Sequence, residues 1–139
     1  MKIMICGSMS FAKEMVELQK QLQDLGYSVS VPSDTELHLE KPGFVDDLDK
    51  DMEHIVANNV MRECFNLLAA SDAVIFLNLP KNGIDGYMGA SALMEIGLAY
   101  YLKKKIYLMY PHPDPHQHRW AHEVASLQPT ILNGDVSIL

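Results

Sequence analysis

Short apolar runs alternate with amphipathic helical patterns along the whole sequence. The five runs cover residues 2–6, 27–32, 72–80, 106–110 and 130–134, and the four helical patterns cover residues 11–27, 46–71, 89–105 and 119–127. Alternation of this kind predicts parallel strands that are joined by right-handed crossovers, with helices on both faces of one sheet. We therefore expect an α/β fold: a three-layer, doubly wound sheet of five parallel strands in the flavodoxin-like order 2-1-3-4-5.

Local signals predict the bounds of the first helix and the path of the chain after the second strand. Ser10 has a side chain suited to capping a helix start, and Gly26 suits the position just past a helix end. Residues 33–45 have no clean periodicity and contain a Pro-Gly pair, which predicts a loop over the sheet edge. The helical spacing then returns and predicts one helix over residues 46–71.

Composition and charge restrict the compartment and the partners. With 139 residues, of which 48% are hydrophobic and 21% are charged, the chain fits one globular domain over residues 1–139. Acidic residues outnumber basic ones by 18 to 11, so no field that attracts a nucleic acid polymer is expected. The apolar run before Gly7 is too short for a signal peptide core or a membrane span. These features predict a cytoplasmic protein without a membrane partner.

The fold class also predicts where a ligand would bind. In open α/β sheets the ligand lies outside the carboxyl ends of the strands, near the point where the strand order reverses. Gly7 and Ser8 directly follow the first strand, where the backbone could approach a phosphate or a sugar hydroxyl, although a tight turn without any ligand explains the pair equally well. Neither GxGxxG nor a P-loop pattern is present, so a dinucleotide or a P-loop triphosphate is not expected.

Glu95 is the single carboxylate of residues 89–97, a segment otherwise made of small and apolar residues. On a helix it would have Ser91 one turn before it, and Leu98 and Ala99 one turn after it. A carboxylate in such surroundings is costly unless it faces a wet cleft or is paired. The residue is therefore either a functional group in a cleft where small residues leave room for a ligand, or a partly exposed glutamate bonded to a backbone amide.

Three segments carry a resemblance to a known family. They are MICGSM at residues 4–9, AASDAVIFLN at residues 69–78, and GASALMEIGLAYYLKKKIYLM at residues 89–109. Together they resemble the nucleoside 2-deoxyribosyltransferase superfamily, with the most specific match in the third segment. The likeness extends to small prokaryotic members with the same frame, which share an Asn-Gly-Asp sequence near the end of the chain.

The resemblance implies chemistry at the N-glycosidic bond of a 2′-deoxyribonucleoside or its 5′-monophosphate, with no cofactor. It gives Glu95 the role of the nucleophile that attacks C1′. It also implies substrate contacts from Gly7, Ser8, Tyr87, Gly89 and Ser91. A hydrogen bond from Ser91, a tyrosine or a backbone amide is expected to hold Glu95 ionised. The family's assemblies imply a homodimer or a larger homo-oligomer.

The sequence departs from the family pattern at two aspartate positions. Gly89 stands where the transferases usually have an aspartate, which concerns the handling of the sugar hydroxyl, and Cys64 stands where another family aspartate is expected. The acid that protonates the leaving base is therefore unassigned, with Asp85 and Asp46 from the loops as candidates. The alternative function is a non-catalytic nucleotide-binding or sensing module with the same pocket.

The histidines and cysteines do not form a recognisable metal or redox motif. His118 and His122 have a spacing that could hold a zinc ion, but the pattern around them is more typical of a polar loop and a solvent-facing helix. No metal is expected. Cys6 and Cys64 have no CxxC spacing, which predicts reduced, buried thiols rather than a disulfide.

Overall fold

The computed structural model describes all residues, 1–139, and contains one five-stranded sheet. The strands are β1 (Lys2–Cys6), β2 (Ser28–Ser30), β3 (Ala73–Phe76), β4 (Lys105–Leu108) and β5 (Thr130–Ile131). Their order in the sheet is β2-β1-β3-β4-β5, and every neighbouring pair is parallel. The predicted doubly wound α/β sheet and its strand order are thus confirmed.

Six α-helices flank the sheet. They are α1 (Ala12–Asp24), α2 (Thr35–Glu40), α3 (Leu48–Ala57), α4 (Val60–Ala69), α5 (Ala90–Tyr101) and α6 (Trp120–Ser126). Short 3₁₀ helices lie at Met9–Phe11, Phe44–Asp46 and Val136–Ile138. None of the helices combines the length and the apolar character needed to cross a bilayer.

Strand β1 separates two apolar cores. Because side chains alternate between the two faces of a strand, Met4 and Cys6 face one core, whereas Ile3 and Ile5 face the other. The core on the Cys6 face is completed by residues of α4, α5 and α6, and the core on the opposite face is completed mainly by α1. The helix that carries Glu95 therefore packs on the Cys6 face of the sheet.

The segment between β2 and α3 differs from the prediction. Instead of a loop, residues 33–45 contain α2 and most of the 3₁₀ helix Phe44–Asp46. Six residues are too few to show an apolar period, and a helix this short depends on tertiary packing. Thr35 and His38 are buried, and the Thr35 hydroxyl donates a hydrogen bond to the carbonyl oxygen of Pro32 at 2.6 Å.

The single helix predicted over residues 46–71 is wrong, because the structure has two helices there. Helix α3 ends at Ala57 and α4 begins at Val60. Between them, Asn59 has a φ of 53°, in the left-handed region. Asparagine tolerates this conformation better than most residues, so the chain can turn here and α4 can take a new direction.

The structure agrees with the predicted end of α1 but not with its predicted cap. Ser8, not Ser10, caps the chain before α1, because its hydroxyl oxygen accepts a hydrogen bond from the Ser10 backbone N–H at 3.2 Å. The 3₁₀ helix at Met9–Phe11 displaces the start of α1 to Ala12. Gly26 directly follows the last capping residue and has a φ of 96°, which confirms its predicted place just past the helix.

Candidate active site

A cavity of about 300 Å³ opens at the carboxyl ends of β1, β2 and β3. This volume lies at the lower end of the range for small-molecule sites. The lining comes from the turn after β1, from the residues around α2, from α3 and α4, and from the loop and helix after β3. Because β1 lies between β2 and β3, the cavity sits where the strand order reverses.

The structure brings most of the residues singled out from the sequence to this cavity. Those that line it are Gly7, Ser8, Asp46, Tyr87, Gly89, Ser91 and Glu95. Asp85 is exposed and does not line the cavity, so it is badly placed for the role of the acid. Asp46 reaches the rim, but 73% of its side chain is exposed.

Glu95 lies on the second turn of α5 and only 6% of its surface is exposed. Its Oε2 atom is buried without a hydrogen-bond partner. The expected hydrogen bond from Ser91, a tyrosine or an amide is not formed, because Ser91 is exposed and the neighbours of the carboxyl are small or apolar. A buried carboxyl oxygen without a partner is unusual, since such groups are normally satisfied within the fold.

Burial raises the pKa of Glu95 from its ordinary value of 4.5 to about 7. The largest cause is the loss of water around the carboxylate, and a hydrogen bond from the Cys6 side chain lowers the pKa only in part. The expectation that a hydrogen bond holds Glu95 fully ionised is therefore wrong. Near neutral pH the protonated and ionised forms of the carboxyl are therefore both populated.

Two thiols lie beside this carboxyl. Burial and the Glu95 carboxylate raise the pKa of Cys6 well above its ordinary value. Burial raises the pKa of Cys64 to about 11, hydrogen bonds with Ser33 oppose the rise, and the carboxylates of Glu95 and Asp34 add to it. Both cysteines are free and buried, which confirms the prediction of unpaired thiols. Both thiols are therefore neutral near pH 7.

Gly7 allows a close approach between the turn after β1 and the end of β3. Its φ is 156°, and a Cβ atom at this position would lie 2.9 Å from the Leu77 carbonyl oxygen and 3.0 Å from the Met15 Cε. Only glycine fits without displacing backbone. Ser8, the next residue, lines the cavity, and its hydroxyl oxygen accepts a hydrogen bond from Lys81 in the loop that follows β3.

Lys81 is a site residue that the sequence reasoning missed. Its Nζ donates a hydrogen bond to the Ser8 hydroxyl at 3.1 Å, lies 4.0 Å from an Asp46 carboxylate oxygen, and stands 5.5 Å from the centre of the Tyr87 ring. It is a cation at the rim of a cavity that also contains several carboxylates. The sequence did indicate this role, because Lys81 begins the loop directly after the third apolar run, at the sheet edge where a ligand is expected.

The start of α5 adds a second feature suited to an anion. Gly89, Ala90 and Ser91 line the cavity, and no side chain caps this helix end. The free N–H groups of a helix start carry a partial positive charge and bind phosphates or carboxylates. Together with Lys81 they form a positively polarised wall next to Glu95.

Asp34, His38 and His54 form a cluster next to the part of the cavity wall that follows β2. The Asp34 Oδ2 atom is 3.2 Å from His38 Nε2 and 3.1 Å from His54 Nε2. Asp34 and His38 line the cavity, and 8% and 3% of their side chains are exposed. The cluster was not predicted from the sequence. A loop was expected over residues 33–45, and the four-residue spacing of Asp34 and His38 brings the two side chains together only if the segment is helical.

Asp51 of α3 completes this part of the wall. It lines the cavity, and burial raises its pKa, with the Asp34 carboxylate acting in the same direction. His38 and His54 partly offset that rise.

No family model matches this sequence, and no curated protein or solved structure matches it. The likeness to nucleoside 2-deoxyribosyltransferases therefore stays a prediction. No group of three histidine, cysteine or carboxylate side chains has a geometry that could hold a metal ion. The chemistry open to the site is that of a buried carboxyl group, a positively polarised wall and an aspartate-histidine cluster around one small cavity.

Proposed function

We propose that this protein acts on the N-glycosidic bond of a 2′-deoxyribonucleoside or its 5′-monophosphate, with Glu95 as the nucleophile. The observation that carries the proposal is the Glu95 carboxyl, which is buried, lacks a partner at Oε2, and lines a cavity of about 300 Å³. The burial of a carboxyl without a partner is costly for folding, so a role in binding or catalysis explains why such a group stands there. The likeness of residues 89–109 to a nucleophile helix supports the same assignment.

The reaction needs two displacements at C1′. A carboxylate oxygen of Glu95 bonds to C1′ while the C1′–N bond breaks, and the electron pair of that bond leaves with the base, which takes up a proton. Water or a second base then attacks C1′ and releases Glu95, giving hydrolysis or transfer. The transition state carries positive charge on the sugar, which an ionised Glu95 stabilises in a site with little water.

The positively polarised wall formed by Lys81 and the start of α5 supports a 5′-monophosphate as the preferred form of the substrate. Lys81 and the hydroxyl of Ser8 are within hydrogen-bond distance of each other, and the start of α5 lies on the same cavity. A phosphate bound between them would replace the Ser8 contact of Lys81 by a stronger charge-assisted hydrogen bond. The half-buried ring of Tyr87 beside Lys81 offers a face for packing against the nucleoside.

One observation favours a nucleotide-binding or sensing module instead. Gly89 and Cys64 occupy positions where the resemblance implies aspartates, so part of the family's equipment for the sugar and the base is missing. A module of this kind would bind the nucleotide in the same cavity and leave the glycosidic bond intact.

Base release separates the two functions. The protein is incubated with deoxynucleosides and their 5′-monophosphates, and free base is measured by chromatography. We expect release by the natural chain and a loss on the order of a thousandfold or more in Glu95→Gln. Glu63→Gln, at an exposed position of α4, is the matched control and should keep the activity. Calorimetric binding of a nucleotide without any base release would support the module.

The compartment and the assembly belong to the same proposal. Two buried, free cysteines suit the reducing conditions of the cytoplasm. The partner is a small nucleoside or nucleotide rather than a nucleic acid polymer or a membrane. The chain works as a homodimer or a larger homo-oligomer, and the exposed apolar residues of α3 offer a contact surface.

A further inference from the structure

The leaving base needs a proton, and neither loop aspartate is well placed to supply it. Asp85 lies outside the cavity and Asp46 is mostly exposed. The titratable groups that are both buried and on the cavity wall, apart from Glu95 and the thiols, belong to the cluster at the start of α2. These groups are therefore the candidates for the acid.

The contacts of the cluster determine which ring nitrogens carry protons. The side-chain amide nitrogen of Asn58 lies 3.1 Å from His54 Nδ1, and an amide nitrogen can only donate. His54 Nδ1 is therefore the acceptor, and its Nε2–H donates to Asp34 Oδ2. The same oxygen accepts the Nε2–H of His38. Asp34 thus fixes both rings through one carboxylate oxygen.

His38 differs from His54 in what its second nitrogen does. No hydrogen bond within the protein engages His38 Nδ1, whereas Asn58 occupies that of His54. His38 lines the cavity, and its ring is held at an edge-on contact with Phe44, with ring centres 5.8 Å apart. His38 consequently has a nitrogen free to meet a ligand, on a ring that is fixed in place.

The helices that carry His38 and Glu95 follow strands on opposite sides of β1, and both residues line the cavity. Helix α2 follows β2 and α5 follows β3, and β1 lies between those two strands. Cys64 lines the same cavity, and the carboxylates of both Glu95 and Asp34 raise the pKa of its thiol. A nucleophile on one side and a proton donor on the other is the arrangement that glycosidic cleavage requires, because attack occurs on the face opposite the base.

We propose that His38 donates the proton to the leaving base from Nδ1, with Asp34 as the positioning residue that holds the ring through Nε2. This assignment rests on the proposed function. In the first step the His38 proton moves to a base nitrogen or oxygen as the base takes the C1′–N electron pair. In the hydrolytic second step neutral His38 recovers a proton from the attacking water, whose oxygen bonds to C1′.

A pair of substrates that differ in their need for a proton tests this assignment. Guanine leaves 2′-deoxyguanosine 5′-monophosphate readily only when it is protonated, whereas N7-methylguanine already carries the positive charge and leaves without an acid. His38→Gln keeps an amide that can donate a hydrogen bond to Asp34 but is too weak an acid to protonate the base. For His38→Gln we expect kcat/KM to fall by on the order of a hundredfold with 2′-deoxyguanosine 5′-monophosphate. With the N7-methyl derivative of this nucleotide, kcat/KM should change little after subtraction of the uncatalysed rate.

Matched variants separate a chemical role from a structural one. Asp34→Asn should show the same dependence on the leaving group with a smaller loss, and His122→Gln, at an exposed position of α6, should show no loss. Circular dichroism and thermal unfolding check that each variant is folded, and Asp34→Asn serves if His38→Gln does not fold.

Three results would overturn the assignment. An equal loss with both substrates would mean that His38 acts only on structure or binding. A loss that depends on the leaving group in Asp51→Asn, but not in His38→Gln, would make Asp51 the acid. The absence of base release by the natural chain from either substrate would overturn the proposed function and this assignment with it.

Discussion

At the scale of single residues, Glu95 lowers the stability of the fold but is required for the proposed function. Its carboxyl is buried against Cys6 and has no partner at Oε2, so ionisation must occur where water is scarce. A neutral amide of the same shape would relieve this cost. The residue that the proposed chemistry needs is thus one that folding alone would not favour.

Replacement of Glu95 by glutamine should stabilise the protein in a pH-dependent way. Between pH 4.5 and about 7 the folded protein keeps a proton that the unfolded chain has lost, so the natural chain loses stability as the pH rises. Above pH 7 the ionised, buried carboxyl lowers the free energy of unfolding of the natural chain by its full amount, roughly 3 kcal/mol at about 1.4 kcal/mol per pKa unit. Urea unfolding at a series of pH values measures this, with Glu63→Gln as the control. A gain that is the same at pH 5 and pH 8 would contradict the raised pKa.

Lys81 gives a second prediction at this scale. Lys81→Met removes the charge next to Ser8 but keeps the length of the side chain, so the affinity for a deoxynucleoside 5′-monophosphate should fall by about tenfold or more. Affinity for the nucleoside without phosphate should change little. Isothermal calorimetry with both ligands measures the difference, and Lys13→Met, at an exposed position of α1, is the control. Equal losses for both ligands would show that Lys81 does not meet the phosphate.

At the scale of elements, patterns carried by neighbouring residues were predictable, whereas elements that depend on tertiary packing were not. The run of β3 was recognisable because all four of its residues are apolar, and α5 was recognisable because its twelve residues include a single charge. Helix α2 has six residues and depends on burial of His38, which only the folded chain supplies. For the same reason the Asp34 cluster was not predictable, since His54 reaches it from another helix, twenty residues along the chain.

Asn78 couples the ends of β3 and β4, and its loss should destabilise the rim that carries the site. Its side-chain amide donates to the Tyr110 carbonyl at 2.7 Å and accepts from the Tyr110 N–H at 2.9 Å. Asn78→Ala leaves both backbone groups without partners, and we expect a loss of about 2 kcal/mol in the free energy of unfolding. Chemical denaturation measures it, and Asn66→Ala on the exposed face of α4 should be nearly neutral. A loss no larger than that of the control would contradict this account of the rim.

At the scale of the whole molecule, the predicted strand order indicated where the site lies. The alternation of runs and helices predicted the parallel sheet, and the reversal at β1 predicted where the cavity lies. The electrostatic state of Glu95 was not predictable, because Cys6 comes from β1 and Cys64 from α4, and only the fold brings them beside α5. Topology could thus be derived from local patterns, whereas the chemistry of the site depends on contacts between distant segments.

The predicted homo-oligomer can be tested on α3. Leu48, Met52 and Val56 recur every fourth residue on one face of this helix, and about two thirds to three quarters of each is exposed. If copies of the chain associate through this face, Met52→Lys should shift sedimentation from the dimer towards the monomer. Glu53→Lys, at an exposed position outside the apolar row, is the control. An oligomer that both variants leave intact would place the interface elsewhere.

The most direct test of Glu95 as nucleophile is to trap the sugar on the protein. Fluorine at C2′ destabilises the positive transition states of both steps, so a 2′-deoxy-2′-fluoroarabinosyl nucleoside with a readily leaving base should accumulate as the sugar bound to the protein. Intact-mass measurement and peptide mapping after incubation should show one fluorinated sugar on Glu95, one equivalent of free base, and no adduct in Glu95→Gln. Base release without an adduct, or an adduct on another residue that persists in Glu95→Gln, would contradict the assignment of Glu95 as the nucleophile.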